Sequence, residues 1–135
     1  MEEWDACKDD IKVFAKVFPR GTTITEASLK KAAKANLDID WLVTNGFGIK
    51  SDNYVKRTRP YFNAWEIKIQ PARDRYQKSA NRLMVKGCYR LGSSALWKKV
   101  DATFERAIRK PSIEYYLKIL LIVHRYLKKA GYTDD

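Results

Sequence analysis

Residues Ile113–Ala130 constrain this chain more than any other stretch. Ile113, Tyr116, Leu117, Ile119, Leu120, Leu121, Ile122, Val123 and Leu127 place apolar side chains on most sides of a predicted helix, and Glu114, Lys118 and Arg125 leave only a narrow polar edge. A helix with so little polar surface needs neighbours around it, so the other helices are expected to pack against this one. Gly131 is placed to end it. The longest uninterrupted apolar run, Ile119–Val123, is far short of the ~20 residues that span a bilayer, so no membrane partner is expected.

Toward the N-terminus the apolar positions Trp4, Cys7, Ile11, Phe14 and Phe18 recur at helical spacing, and Pro19-Arg20-Gly21 ends that helix. A second helix starts near Thr25. Thr23 with Glu26 forms a capping box in one reading, and Thr25 alone is the N-cap in the other. Leu29, Ala32 and Ala33 give it a small-residue face, and Asn36 can close it. Asp38 caps a short third helix carrying Ile39, Trp41, Leu42 and Val43, which stops at Asn45-Gly46. Reading this pair as a DNA-binding helix-turn-helix would drive Asp38 and Asp40 toward phosphate, which their charge opposes.

Residues 47–57 are ambiguous. Phe47–Lys50 and Tyr54–Arg57 around Ser51-Asp52-Asn53 form either a small hairpin or a loop entering a helix. Beyond them Trp65, Ile69, Ala72, Tyr76, Ala80 and Leu83 follow helical steps, with Pro71 starting a new helix or kinking a continuous one. Ser93 or Ser94 then caps a helix running to Arg109, with Leu96, Trp97, Val100, Phe104, Ala107 and Ile108 as its buried face. Pro111 breaks the chain and Ser112 restarts it. The predicted fold is an all-α compact helical bundle with a small N-terminal helical module. A winged-helix-like α+β fold with a short hairpin at 47–57 is the alternative. Residues 1–135 are read as a single domain, with a three-helix module at 1–46 and a basic helical body at 47–135.

Charge is concentrated in the middle of the chain. Residues 50–99 hold thirteen Lys and Arg against three Asp and Glu, a net +10, while residues 1–49 carry −1 and residues 100–135 carry +2. On a helix at about 100° per residue, Arg75, Lys78, Arg82 and Lys86 share an arc of roughly 80° beside the apolar face. Basic side chains interleaved with aromatic rings point to an anionic polymer: cations release its counterions, and rings stack on unpaired bases. The candidate phosphate contacts are Lys56, Arg57, Arg59, Lys68, Arg73, Arg75, Lys78, Arg82, Lys86 and Arg90. Tyr54, Tyr61 and Phe62 are the candidate stacking residues.

Signatures of a reaction are absent. No phosphate-loop or dinucleotide motif occurs, and Cys7 and Cys88 have neither CxxC spacing nor a nearby histidine, so no metal site or cofactor is expected. His124, the single histidine, falls beside Leu117, Leu120 and Leu127 and reads as a satisfied core imidazole. The acidic start Met1-Glu2-Glu3-Trp4-Asp5 is unlike a secretory leader, and two buried thiols fit a reducing cytoplasm. The composition implies a non-catalytic, cytoplasmic protein that binds nucleic acid, DNA or RNA.

Within residues 7–42, Cys7, Ile11, Phe14, Phe18-Pro19, Gly21, Ile24-Thr25, Leu29, Ala32 and Asp38-Ile39-Asp40-Trp41-Leu42 resemble in their spacing the N-terminal segments of small phage- or prophage-encoded proteins of unassigned function. That resemblance implies a mobile-element protein at work in a bacterial host cell. It also implies an alternative role, an inhibitor or adaptor that binds a host nucleic-acid-processing complex.

Overall fold

A computed structural model describes residues 8–18, 24–49, 51–87 and 95–132. Among them are five α-helices, α1 (Lys8–Val17), α2 (Glu26–Lys34), α3 (Ile39–Trp41), α4 (Asp52–Val85) and α5 (Ala95–Lys129), with a π-helical turn at Leu42–Gly46 and no strand. The all-α bundle is therefore the fold. The hairpin at 47–57 does not form: Tyr54–Arg57 belong to α4, and Phe47–Ile49 are its irregular approach. Four residues are too few for periodicity to separate strand from helix, and the long apolar row that follows decides for helix.

Contacts divide the chain into two compact units, one formed by Met1–Phe62 with Ile113–Asp135 and the other by Asn63–Ser112. Both α4 and α5 contribute to each unit, so the division falls inside helices and away from residue 46.

In the first unit, α1 packs on α2 and α2 on α3. Thr25 caps α2 through a reciprocal box with Ser28, with the Ser28 N–H donating to Thr25 Oγ1 at 3.1 Å and the Thr25 N–H to Ser28 Oγ at 2.8 Å. Ser28 thus takes the place expected of Glu26. Asn36 closes α2 in the left-handed conformation (φ 61°), and Asp38 Oδ1 accepts the Trp41 N–H at 2.8 Å to start α3. Trp4, Cys7, Pro19–Thr23, Lys50, Cys88, Arg90, Ser93 and Ser94 lie outside the described residues. The C-terminal half of α5 is buried along one stripe, Tyr115, Ile119, Leu120, Val123 and Leu127, rather than on most sides as expected: Leu121 is exposed and Ile113, Tyr116, Leu117 and Ile122 are half-buried. Phe47 stacks on Tyr132 at 4.0 Å, and the Tyr54 ring meets Tyr126 edge-on at 5.3 Å. His124 is half-buried and its Nε2 has no hydrogen-bond partner among the described residues, which corrects the expectation of a satisfied imidazole.

The second unit is an antiparallel helix pair. Trp65 Nε1 donates to Ser112 Oγ at 3.1 Å and Tyr76 Oη donates to Asp101 Oδ1 at 3.1 Å, so α5 runs back as α4 advances. Ile69, Ala72, Ala80 and Trp97 form its core, while Leu96 and Ala107, expected inside, are exposed. Neither Pro71 nor Pro111 interrupts its helix, nor does Pro60. A proline in a helix interior costs roughly 3 kcal/mol and one hydrogen bond. Burial of the apolar turns on either side outweighs that local loss, so the expected break at Pro111 is absent.

Among the described residues no helix is long and apolar enough to cross a membrane.

Candidate functional site

The second unit carries twelve Lys and Arg against four Asp and Glu, a net +8 of the chain's +11. Because α4 is one unbroken helix there, the angular position of each cation follows from its number. Lys68, Arg75, Lys78, Arg82 and Lys86 fall within an arc of about 80°. All five are exposed. Arg73, also among the sequence candidates, is on roughly the opposite side of the helix. It lies 3.9 Å from Glu66 and 5.7 Å over the Trp65 ring, so it belongs to a different surface.

On α5 the spacing of Lys99, Arg106 and Lys110 gathers them within an arc of about 40°, with Asp101 and Glu105 about 120–160° away. One cation of each row, Arg75 and Lys99, lines a cavity of about 280 Å³ to which α4 also contributes Tyr76 and Ser79 and α5 contributes Thr103 and Phe104. Arg106 reaches the same edge, its Nη2 donating to Thr103 Oγ1 at 3.4 Å. Arg75, Lys78, Arg82, Lys99, Arg106 and Lys110 form no ion pair with any described carboxylate. Asp74, the acid nearest the α4 row, accepts from Gln70 Nε2 at 2.9 Å. These cations are therefore without ion pairs among the described residues, and the nearest acids are Asp74, four residues before Lys78, and Asp101, which accepts from the Tyr76 hydroxyl at the cavity.

Lys56, Arg57 and Arg59 are exposed on the part of α4 that belongs to the first unit, spread around about 160° of the helix. Of the stacking candidates, Tyr61 and Phe62 are exposed, and the Phe62 ring lies edge-on to Tyr115 at 6.1 Å. Tyr54 cannot stack on a base, because it is 1% exposed. Its hydroxyl donates to Asp40 Oδ1, and the Tyr115 hydroxyl donates to Asp40 Oδ2 at 3.3 Å. Burial first, and the Asp40 carboxylate second, push both phenols well above the ordinary tyrosine range. Asp40 thus has a structural role, holding two buried hydroxyls.

Lys99, Arg106 and Lys110 escaped the sequence reading. Their i, i+7, i+11 spacing marks one helix face, but only the antiparallel pairing puts Lys99 of that face at one cavity with Arg75. Among the described residues no three His, Cys, Asp or Glu side chains converge to hold a metal ion. Comparison of the chain with protein-family models, curated proteins and solved structures finds no match.

Proposed function

We propose that this protein binds nucleic acid without catalysis, through the cationic flank of the helix pair formed by residues 63–112. The observation that carries the reading is two cationic rows, Arg75, Lys78 and Arg82 on α4 and Lys99, Arg106 and Lys110 on α5, which form no ion pair among the described residues and of which Arg75 and Lys99 line one cavity. A polyanion gains affinity at such a surface by releasing counterions, and opposed carboxylates there would cancel the gain. With the resemblance of residues 7–42, the natural setting is a phage or prophage protein in a bacterial cytoplasm.

Fluorescence anisotropy with single- and double-stranded oligonucleotides across a salt series tests this. Six phosphate contacts give a slope of log affinity against log salt of about −4 to −5. The double variant Arg82→Ala, Lys110→Ala is expected to flatten the slope by about 1.5, whereas Arg73→Ala leaves it unchanged. Absence of binding at low salt refutes the reading. A partner protein from bacterial lysate that survives nuclease treatment would instead favour docking of this flank on a host nucleic-acid-processing complex.

A further inference from the structure

The cavity between α4 and α5 in the second unit has a composition that a purely phosphate-binding surface does not need. Tyr76 and Phe104, whose ring centroids are 5.1 Å apart, give it aromatic walls, and Ser79 and Thr103 add hydroxyls. Arg75 and Lys99 supply one cation from each helix. At about 280 Å³ the space is just below the ~300–1,000 Å³ of drug-sized sites, which is room for one ring system.

We infer that this cavity receives a single unstacked base of single-stranded nucleic acid, with the phosphates on either side of that base held by Arg75 and Lys99. The inference rests on the proposed function and deepens it, since a duplex keeps its bases stacked and paired while a single strand offers them to an aromatic wall. The Ser79 hydroxyl can hydrogen-bond a base edge, whereas that of Thr103 already donates to the Lys99 carbonyl at 2.9 Å, so the pocket carries little to distinguish one base from another. Base contact adds affinity that does not depend on salt, on top of the counterion release that does. The chemistry recognised, a planar base flanked by phosphates, is common to DNA and RNA.

The test compares three probes of about twelve nucleotides, a length within one protein's footprint on a single strand. They are an oligothymidylate, an oligouridylate and an abasic oligomer with the same phosphates. The expected result is about tenfold tighter binding of the base-bearing oligomers than of the abasic one, as stacking of one base provides. Equal affinity for thymidylate and uridylate supports recognition of the shared base and phosphate chemistry, and a preference for one identifies the polymer within the same proposal. Ala107→Trp and, separately, Thr103→Trp fill the cavity from exposed positions and are expected to lower binding of the base-bearing oligomers to the abasic level with an unchanged salt slope.

Equal binding of abasic and base-bearing oligomers overturns the inference and leaves the phosphate surface standing. Failure of all three to bind at low salt overturns the proposed function as well. If both Trp variants stay folded by circular dichroism and still prefer the base-bearing oligomer, the base lies elsewhere and the inference falls. Thymidine monophosphate competing as strongly as the oligomer would assign the cavity to a free nucleotide, and that also overturns it.

Discussion

Asp40 can be tested by a double-mutant cycle whose outcome changes sign. Its carboxylate accepts from Tyr54, 1% exposed, and at 3.3 Å from Tyr115, 6% exposed. Asp40→Ala strips the acceptor from both. A buried hydroxyl left without a partner costs about 1–3 kcal/mol. Tyr54, the more deeply buried, is assigned about 2 kcal/mol and Tyr115, at the longer distance, about 1 kcal/mol, so the variant should lose about 3 kcal/mol. In the wild-type background Tyr54→Phe removes one hydrogen bond to a charged acceptor and is expected to cost about 1.5 kcal/mol. In the Asp40→Ala background the same change removes an orphaned hydroxyl, so it is expected to be neutral or to stabilise by up to about 1 kcal/mol. Urea unfolding followed by circular dichroism measures all four proteins, and the melting temperature should move by about 4 °C per kcal/mol for a chain of this size. If Tyr54→Phe costs the same in both backgrounds, the hydroxyl is not coupled to Asp40, and ring packing against Tyr126 is what holds Tyr54 inside.

The same pair makes stability fall in alkali. Each phenol has a folded pKa raised above its ordinary value of 10.0, so its contribution is intact below that pH. It is lost as pH rises from there toward the folded value, by about 1.4 kcal/mol per pH unit for each tyrosine, and Tyr54→Phe should halve the slope of unfolding free energy against pH. Thr25→Ala removes the acceptor of the Ser28 N–H and should cost about 1 kcal/mol in denaturant titration. Asn36→Gly relieves a left-handed residue whose buried Oδ1 has no partner among the described residues, so it should raise the melting temperature, by about 1 kcal/mol of stability. Pro71→Ala, at an exposed position inside α4, restores a backbone donor and is expected to stabilise by about 1–3 kcal/mol in thermal unfolding.

Local chemistry was readable from the residues. Asp38 as an N-cap, Asn36 and Gly131 as helix ends, and the row Trp65, Ile69, Ala72, Tyr76, Ala80, Leu83 all act through neighbours within a turn or two, so their spacing carries the information. Helix continuity was not readable. Pro71 and Pro111 each impose a local cost that a sequence displays, while the burial that overrides it depends on the partner helix, which a sequence does not display. Tyr54 misled for the same reason. Beside Lys56 and Arg57 it looks like an exposed ring, but its partner Asp40 is supplied by another helix, and that carboxylate is shared with Tyr115, 75 residues away from Asp40. The candidate site was half legible: the α4 cations fall on one arc by arithmetic alone, and Lys99 of α5 comes to the same cavity as Arg75 only through antiparallel packing.

Phe62 and Tyr115 are ring neighbours, and the fifty residues of the second unit leave the first unit at one of these rings and return close to the other. Helices α4 and α5 are thus pinned ring to ring within the first unit, at the last residue α4 gives it and near the first that α5 gives it. A large apolar side chain on either helix at that point is fixed by its counterpart on the other, so neither can be shortened alone.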